Sequence, residues 1–497
     1  MKYLMFSLLT FLILFGVINS QTISSFKLNI ENPDRGGLVG NGITDLLWSD
    51  INQTLYIGTG FGLSTTVDNG EHWQNITPHE YGGKGGISAL AVANDGTVWI
   101  AAGYDTLVED DQRLSIGGGL RYLQPDSLNW KFIPQPIDAR DDTANGKRPT
   151  TTRVQNVTYD IAILDTQIWI ASFGGGVRRS LDGGQTWEVI TTDGHPFSAL
   201  DYLNHRGFSL LAENGNIWIG TADGISKSFD GGKNWHRFTH QNQNQSIAGN
   251  FVIALAQNPW DNSIWAATMR AEGETEFNAV SKTTNGGLSW DIHLKDELSD
   301  GTFVRYFAFK DSAVYAATEK GIYKTINNGQ TWFKMPQIRD SESGEALLTN
   351  TFYSVATSPA QEPFHRIWLG SSDGLATSAD NGYNWTIFRS FVSTHDERRE
   401  PRVYPSPNPY SPTRSDPVKF RFDISERIMA QIDIYNFAME KVITLGPYDL
   451  DSVNNTYDRF ISWDGLDNNR RMVDNGVYFF RAKIGDEVTW GKIVVIN

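Results

Sequence analysis

Nine titratable side chains in the first four-fifths of the chain have types that could do chemistry. Six are carboxylic acids and three are bases: Asp105, Glu109, Asp110, Asp141, Asp142, Glu274, Arg153, His205 and Arg206. Two carboxylates that flank a glycosidic bond can act as general acid and as base or nucleophile, and the candidates for this are Asp105, Glu109, Asp141 and Asp142. Converging acidic groups could instead bind Ca²⁺, although no fixed Ca²⁺-binding spacing is present. Polar loop residues are also commonly only solvated, so their position in the fold matters.

The elements that must position these residues are indicated by a turn motif that occurs six times. Its pattern is Ser/Thr-x-Asp/Asn-x-Gly-x-x-Trp, and its copies span 66–73, 180–187, 228–235, 283–290, 325–332 and 378–385. An Asp or Asn side chain can bond to the backbone of its own turn, Gly supplies a positive φ, and Trp buries a large apolar face. The third position is Asp68, Asp182, Asp230, Asn285, Asn327 and Asp380. Because Asn replaces Asp twice, charge is dispensable, and all six are predicted to be structural.

This motif resembles the Asp-box of sialidase-type and other Asp-box β-propellers, which implies a propeller fold. Sialidases also carry an Arg-Ile-Pro signature, but the nearest string here is Arg366-Ile367-Trp368. Asp-box xyloglucanases are similar in repeat texture. They place their site between two tandem propellers, whereas this chain has room for one. The resemblance therefore implies the architecture and neither of these two activities.

A second repeat runs in phase with the boxes and sets the number of blades. An aromatic residue flanked by β-formers recurs seven times, at Tyr56, Trp99, Trp169, Trp218, Trp265, Tyr315 and Trp368. The segment 123–130, which ends at Trp130, looks like a decayed seventh box. The spacing of the box Trp residues ranges from 42 (Trp290 to Trp332) to 57 (Trp73 to Trp130). Such periods predict four-stranded propeller blades: an all-β, seven-bladed β-propeller, with six blades as the alternative.

Propeller topology groups the candidate residues on one side. If the strands of a blade are named A to D from the channel outward, the A–B and C–D connections lie on one face, which we call the box face. The B–C and D–A connections lie on the opposite, long-loop face. Four long segments are predicted there, at 103–118, 134–156, 192–207 and 269–279, and they contain all nine candidates. Insertions grouped on one rim of a rigid scaffold are typical of binding or catalytic sites.

Bulk properties exclude several classes of function. Lys and Arg number 42 and Asp and Glu 57, which gives a net charge of −15, and no basic cluster stands out. Nucleic acid and anionic membrane surfaces are therefore not expected as partners. The absence of Cys excludes disulfide, zinc-thiolate and cysteine-nucleophile chemistry. Lys2, the apolar run 3–18 and the pair Asn19-Ser20 predict a signal peptide over 1–20, with an uncleaved membrane anchor as the alternative.

A composition change near residue 400 marks a second domain. Six prolines lie between Pro401 and Pro417, and strands with period-2 alternation follow. We predict a propeller over 21–395, a proline-rich linker over 396–417, and a small immunoglobulin-like β-sandwich over 418–497. Five landmarks in order, at 406–410, 432–435, 463–465, 475–480 and 491–496, resemble the FlgD-like immunoglobulin-like domain. That domain is similar to the sorting domains of type IX secretion, which implies export across the outer membrane; a simple spacer is the alternative.

Two functions from different classes fit these features. The favoured hypothesis is a secreted or cell-surface, monomeric, non-catalytic module that binds a glycan or a protein through the long-loop rim, without a cofactor other than a conceivable Ca²⁺. It follows from the lack of a recognisable catalytic set. The alternative is a glycoside hydrolase that uses rim carboxylates. A third hypothesis, a sensor propeller, rests only on strings such as 218–221, and no kinase or second membrane segment follows.

Overall fold

A computed structural model describes residues 37–107, 113–138, 152–358, 365–390, 403–413, 417–422, 427–450, 460–485 and 487–496. The chain forms two compact units, Met1–Phe391 and Val392–Asn497. Within the described ranges the regular elements are β-strands, apart from a short 3-10 helix at Leu203–His205. The predicted all-β class is confirmed. Among the same residues, no helix has the length and apolar character needed to cross a membrane.

The described part of the first unit contains seven four-stranded antiparallel sheets, each built from strands in chain order. Sheet 1 has β1 (Ile43–Ser49), β2 (Thr54–Thr59), β3 (Gly62–Thr66) and β4 (Gln74–Ile76). Sheet 2 has β5 (Gly86–Val92), β6 (Val98–Leu107), β7 (Arg113–Leu123) and β8 (Lys131–Ile133). Sheet 3 has β9 (Thr158–Leu164), β10 (Gln167–Ser172), β11 (Gly176–Ser180) and β12 (Glu188–Ile190). Sheet 4 has β13 (Gly207–Glu213), β14 (Asn216–Thr221), β15 (Gly224–Ser228) and β16 (His236–Phe238).

The remaining three sheets follow the same plan. Sheet 5 has β17 (Phe251–Gln257), β18 (Ile264–Met269), β19 (Ala279–Thr283) and β20 (Asp291–His293). Sheet 6 has β21 (Val304–Lys310), β22 (Ala313–Thr318), β23 (Gly321–Thr325) and β24 (Phe333–Lys334). Sheet 7 has β25 (Phe352–Thr357), β26 (Ile367–Ser371), β27 (Gly374–Ser378) and β28 (Thr386–Phe388).

The sheets form a closed ring. Their first strands contact one another in the order β1, β5, β9, β13, β17, β21 and β25, and β25 contacts β1. The first strand of each sheet is therefore the innermost one, as in a β-propeller. At the closure, the Leu38 N–H donates to the Arg389 carbonyl (3.3 Å) and the Gly374 N–H donates to the Asn41 carbonyl (2.8 Å). Among the described residues, all four strands of sheet 7 lie between Phe352 and Phe388. The two hydrogen bonds therefore join sheet 7 to the segment that precedes sheet 1.

Each box folds into the same hydrogen-bonded turn between the third and fourth strands. In the box at 180–187, the Ser180 hydroxyl donates to Asp182 Oδ1 (2.8 Å) and accepts from the Gly184 N–H (2.8 Å). The Thr186 N–H donates to the same Oδ1 (2.9 Å). Hydrogen bonds from Thr186 and Ser180 lower the pKa of Asp182 to about 2. The corresponding three bonds recur in the other five boxes.

Asn fits the same turn because the residue four positions after the Asp or Asn adapts to it. In the box at 283–290, Asn285 Nδ2 donates to the Ser289 hydroxyl (2.8 Å), whereas in the box at 180–187 the Thr186 hydroxyl donates to Asp182 Oδ2 (2.6 Å). A hydroxyl can donate or accept, so the turn closes with either an amide or a carboxylate. The oxygens at the third box position are thus committed to backbone and turn partners.

The box glycine sets how closely neighbouring sheets approach. A Cβ on Gly287 would lie 2.5 Å from Cζ of Phe238, which belongs to β16 of the preceding sheet. A Cβ on Gly70 would lie 2.6 Å from Cζ of Phe388 in β28, so the same contact joins sheet 7 to sheet 1. Both glycines have a positive φ, +98° and +89°. Glycine is therefore required for both conformation and clearance.

The aromatic repeat lies on the second strand of each sheet. In sheets 3, 4 and 5 a cationic side chain from the third strand covers the ring. Trp169, Trp218 and Trp265 are fully buried. Cross-strand partners place Arg179, Lys227 and Lys282 over these rings at 5.3, 4.1 and 5.2 Å from the ring centroids. The aliphatic stems of these cations extend the apolar surface while the charged ends interact with the ring faces. The repeat recognised in the sequence is therefore part of the packing between sheets.

Every innermost strand carries a β-bulge near its start. The unpaired residues are Thr44, Ser88, Tyr159, Phe208, Ile253, Arg305 and Tyr353. Each innermost strand begins where the chain arrives from the long-loop face, so the bulges lie at that end of the channel. A bulge re-aims side chains and increases local twist. The seven bulges therefore determine which residues surround the mouth of the channel.

One predicted loop is wrong in its described part. Residues 103–107 and 113–117 extend sheet 2 rather than forming a loop, because β6 and β7 continue pairing from Gly103 opposite Gly117 to Leu107 opposite Arg113. β-forming residues on both sides of the tip favour this pairing. A third segment pairs along it, since the Gly117 N–H donates to the Arg153 carbonyl (2.9 Å) and the Gln155 N–H to the Ser115 carbonyl (2.8 Å). We call these residues, 103–107, 113–117 and 153–155, the arm. The other three long segments lie between strands on this face as predicted.

The second unit consists of two sheets that share one core. One sheet has β29 (Val403–Ser406), β30 (Val418–Phe422) and β33 (Phe460–Trp463), and the other has β31 (Ile428–Tyr435), β32 (Lys441–Leu450), β34 (Gly476–Ile484) and β35 (Glu487–Val495). Buried residues from both meet in one cluster that includes Phe420, Trp463 and Phe480. Part of the segment predicted as a linker, 396–417, is thus strand. β29 is an edge strand paired only with β30, where proline is tolerated because one side needs no N–H donor.

We expect the close approach at Gly287 to control stability. Gly287→Ala should lower the free energy of unfolding by about 2–4 kcal/mol, because it adds a clash with Phe238 to the strain of a positive φ. The adjacent Gly286 also has a positive φ, +74°, but meets only Lys227 Nζ at 3.4 Å, so Gly286→Ala should cost about 1 kcal/mol. Urea unfolding followed by Trp fluorescence measures both. Equal losses in the two variants would contradict this packing role.

Candidate functional site

The structure brings some of the predicted rim residues together and leaves others apart. Asp105 lies on the arm with an exposed side chain that accepts a hydrogen bond from the Ser115 hydroxyl (2.8 Å). Arg153 is exposed on the segment of the arm that pairs with β7. Glu274 is exposed in the connection between β18 and β19. Four predicted residues, Glu109, Asp110, Asp141 and Asp142, lie outside the described residues.

His205 is a structural residue in the connection before β13. Its ring is buried, and the Ser198 N–H donates to Nδ1 (3.0 Å), so the ring proton is on Nε2, which faces Asp193 Oδ1 (3.1 Å). Partial burial would raise the pKa of Asp193, but hydrogen bonds from Asn204, His195 and His205 hold it well below its usual range. This network fixes the loop. The placement of His205 as a ligand-binding residue is therefore not supported by its surroundings.

Arg206 is also held by the protein itself. Its Nε donates to the Ala199 carbonyl (2.7 Å) and its Nη2 to the Leu200 carbonyl (3.3 Å). The guanidinium lies over the Phe173 ring, 5.2 Å from the centroid. Arg206 thus ties the connection before β13 to the turn after β10, and it supports an aromatic group at the channel mouth.

That aromatic group was not predicted from the sequence. Tyr159 stacks on Phe208 (centroids 5.7 Å apart, planes at 15°), and both are bulge residues of neighbouring innermost strands. Phe208 also meets Phe251 edge-on at 4.6 Å and Phe173 at 6.1 Å. Tyr159 is 40% exposed although it belongs to an innermost strand. We call Tyr159, Phe173, Phe208 and Phe251 the collar. For Tyr159 and Phe208 the only sequence signal was an aromatic residue at the second position of an innermost strand; Phe251 begins its strand and Phe173 follows β10.

Two carboxyl groups line the channel directly after the bulges. Asp45 accepts from its own neighbour, the Leu46 N–H (2.8 Å), and from the Leu90 N–H of the next sheet (2.9 Å). Asp160 accepts in the same way from the Ile161 N–H (2.8 Å) and the Leu210 N–H (2.7 Å). Each carboxylate therefore satisfies the free backbone edge of the following innermost strand. Asp45 and Asp160 are each half-buried.

Burial changes the charge state of this pair. Desolvation raises the pKa of Asp45 to about 7, against hydrogen bonds from the Leu46 and Leu90 N–H groups that lower it. Desolvation also raises the pKa of Asp160 to about 8, and the nearby Asp45 contributes to that rise. The phenol of Tyr306, at the equivalent position of β21, has a raised pKa because of burial and the two carboxyls. In the described ranges, neither carboxyl forms an ion pair with a Lys, Arg or His side chain.

Metal binding by the rim acids gains no support from the described residues. Within those ranges, the one group of three His, Asp or Glu side chains with ligand atoms within 4.8 Å of one another is Asp68, Glu71 and His72. It belongs to the first box, on the opposite face, and Asp68 already accepts hydrogen bonds from Thr66 and His72. The predicted Ca²⁺ site therefore stays a prediction.

A separate open groove of about 650 Å³ lies on the outside, between sheets 2 and 3. Its lining includes Tyr122, Phe132, Ile137 and Trp187. It differs from the channel mouth in lacking acidic groups among its lining residues. It is bordered by the box turn of sheet 3 and by residues 134–137, the start of one long segment, and it lies at outer strands rather than in the channel. It is therefore the natural comparison site for experiments on the mouth.

Comparisons with known proteins give the fold class. No family model and no curated protein matches the chain. A GH74 enzyme of Niastella koreensis matches with a TM-score of 0.50 and 12% identity, over 93% of this chain and 74% of that chain. The GH74 xyloglucanase of Xanthomonas campestris matches with a TM-score of 0.48 and 14% identity, over 91% and 68%.

A third solved structure is PorZ, an essential surface component of the type-IX secretion system of Porphyromonas gingivalis. It matches with a TM-score of 0.38 and 13% identity, over 90% of this chain. The chain spans 64% of the length of PorZ, less than two thirds. At these identities the similarity extends to the fold alone. The first unit is therefore a protein of the β-propeller class.

The channel carboxyls predict a pH dependence of stability. An unfolded aspartate titrates near 3.9, whereas Asp45 and Asp160 titrate near 7 and 8 in the fold. The folded state therefore binds these protons more tightly, and the stability they contribute is full below about pH 4 and is lost as the pH rises through 7 and 8. We expect the Tm to fall from pH 6 to 9. The Asp45→Asn/Asp160→Asn double variant should show a shallower fall, and the exposed box-face control Asp126→Asn should match the wild type. Identical slopes in all three would contradict the raised pKa values.

Proposed function

We propose that the chain is a secreted or cell-surface bacterial protein whose first unit is a seven-bladed Asp-box propeller that binds a glycan or a protein without turnover. The proposed site is the long-loop rim around the channel mouth. Two independent features support this placement. The insertions, including the arm, are grouped on this face, and the collar exposes aromatic surface at its centre. Aromatic rings beside a few polar groups are characteristic of ligand sites.

The observation that carries the proposal is the exposure of Tyr159. An innermost propeller strand would bury an aromatic side chain most easily by directing it between sheets, yet Tyr159 is 40% exposed and stacks on Phe208. Its ring therefore presents a face to a ligand. Binding without catalysis is favoured because both channel carboxyls already accept two backbone N–H groups each.

We expect Tyr159→Ala to weaken ligand binding at least tenfold. The probe is a broad glycan and surface-protein array exposed to the full chain, with and without Ca²⁺, and bound protein and released sugar are measured together. The matched control is Tyr383→Ala, which removes an exposed tyrosine from a box on the opposite face. Phe132→Ala tests the outer groove. Loss of binding in either control but not in Tyr159→Ala would place the site elsewhere.

The second candidate function is glycoside hydrolysis. It is favoured by one observation: a carboxyl with a pKa of about 7 or 8, as for Asp45 and Asp160, can act as a general acid near neutral pH. Turnover on the same array, abolished by Asp45→Asn or Asp160→Asn, would make the protein an enzyme. Of the four acids that the sequence suggests for hydrolysis, Asp105 alone lies within the described residues. Its variant Asp105→Asn is tested in parallel.

We also propose that the second unit is the FlgD-like immunoglobulin-like sorting domain and that the type IX machinery is its partner. The five sequence landmarks and the two sheets around Trp463 support this assignment. The proposed export begins with a signal peptide over 1–20, which lies outside the described residues. The result is a secreted or outer-membrane location.

Export should depend on the identity of the second unit. Deleting 403–497 should leave the propeller inside the cell envelope of a bacterium with this secretion system, whereas the full chain reaches the surface or medium. The control replaces 403–497 with an unrelated β-sandwich of similar size. Fractionation and immunoblotting measure the distribution. Normal export of the replacement chain would make the second unit a spacer.

A further inference from the structure

The two sheets of the second unit differ in the faces that they turn away from their shared core. In β30, Phe420 belongs to the core while its neighbours Lys419 and Arg421 lie outward. In β34, by contrast, the outward residues include Val477 and Phe479. An antiparallel sheet with one solvated face is expected to carry polar residues on that face. The outer face of the four-stranded sheet is therefore more apolar than solvent exposure alone explains.

Four aromatic side chains form a connected strip on this outer face. Tyr435 lies opposite Phe479 in the neighbouring strand, and its ring centroid is 5.6 Å from that of Trp490 in β35. Phe437, in the turn after β31, lies 6.4 Å from Phe479. Trp490 is 51% exposed and Phe437 is 80% exposed. We call these four residues the aromatic strip. An exposed aromatic surface of this kind is typical of protein interaction sites.

Positive charge borders the aromatic strip. Apart from the Arg427–Asp449 ion pair at one end, the charged residues that the strands direct outward are Lys441, Arg481, Lys483, Lys492 and Asp433. Asp433 is buried and pairs with both Lys441 (Oδ1 to Nζ, 3.3 Å) and Arg481 (Oδ2 to Nη1, 3.6 Å). Among the described residues, Lys483 and Lys492 form no ion pair. This face is therefore positive, although the whole chain has a net charge of −15.

The charge and shape of this face favour one kind of partner. Two copies of the chain that met through the same face would bring like charges together, which costs binding free energy. Binding to a bilayer would bury apolar side chains about 5–10 Å deep, whereas Tyr435 and Trp490 pack against each other on the sheet. A protein surface with apolar side chains bordered by carboxylates complements both the rings and the cations.

We propose that the aromatic strip and its bordering cations are the surface by which the second unit binds a protein of the export machinery, and that this partner presents an apolar patch bordered by carboxylates. The inference rests on the proposed role of the second unit in export and assigns that role to one face. Trp490 is the main apolar contact, because it is the most exposed ring on the strands of this sheet. Lys483 and Lys492 pair with the partner's carboxylates.

The test measures export of full-length variants in a bacterium with this secretion system. Trp490→Ala should reduce the exported fraction at least tenfold, and Trp490→Phe should retain most of it because an aromatic ring is kept. Lys483→Glu/Lys492→Glu should also reduce export at least tenfold. The matched charge reversal Lys419→Glu/Arg421→Glu, on the outward face of the other sheet, should leave export unchanged. Thermal unfolding of each purified chain separates the loss of a contact from the loss of the fold.

Cross-linking in exporting cells gives a readout that keeps the aromatic strip intact. The photoreactive residue p-benzoylphenylalanine replaces either Val477, beside the strip, or Arg421 on the other sheet. Position 477 should form a product with one cell-envelope protein, and Lys483→Glu/Lys492→Glu in the same chain should remove that product. Position 421 should not form it. A product with lipid, with a second copy or with the propeller of the same chain would overturn the proposal, as would a product that survives the charge reversal.

The outcomes distinguish this inference from the proposed role on which it rests. Normal export of Trp490→Ala and of Lys483→Glu/Lys492→Glu, together with failed export after deletion of 403–497, would refute the assigned face and leave the second unit as the part recognised during export. Normal export with an unrelated β-sandwich in place of 403–497 would instead refute that role itself.

Discussion

In a ring of sheets, each sheet buries its faces against its two neighbours. Here the box glycine contacts the preceding sheet, and this contact sets the distance between neighbouring sheets. The glycine reaches this position only within the box turn. Hydrogen bonds of the Ser or Thr hydroxyl and of the Asp or Asn side chain stabilise that turn. Only then can Gly287 lie on Phe238, and Gly70 on Phe388 at the closure. The buried Trp residues and their cations fill the remaining space between sheets. The box turns therefore hold neighbouring sheets together, and the candidate site lies on the opposite face.

The same architecture produces the candidate site. Innermost strands have no partner on the channel side, and their free N–H groups must be satisfied or solvated. Asp45 and Asp160 satisfy some of them and bring two titratable carboxyl groups into the channel. The bulges turn Tyr159 and Phe208 toward the mouth. The polar and aromatic groups at this end of the channel therefore follow from the way the innermost strands satisfy their free backbone groups.

Local patterns predicted what local chemistry controls. The boxes, the aromatic repeat and the face that carries the insertions followed from turn residues and strand alternation, because each depends on neighbours in sequence. Long-range pairing was not predictable in this way. The arm looked like a loop because its pairing with 153–155 spans distant residues. His205 and Arg206 looked like ligands because their partners, Asp193 and the Ala199 and Leu200 carbonyls, come from the folded loop. The collar was missed because register shifts, which no composition signal marks, expose it.

The central claim is that ligands enter at the channel mouth on the long-loop face. The chain has no cysteine, so one introduced thiol can carry a bulky maleimide label at a single place. Thr44→Cys places it at the exposed bulge of β1, and Leu128→Cys places it on the exposed box-face turn of sheet 2. We predict that labelling at position 44 abolishes binding of the glycan or protein ligand found on the array and that labelling at position 128 leaves it unchanged. Unchanged binding with the label at position 44 would contradict a site at the mouth.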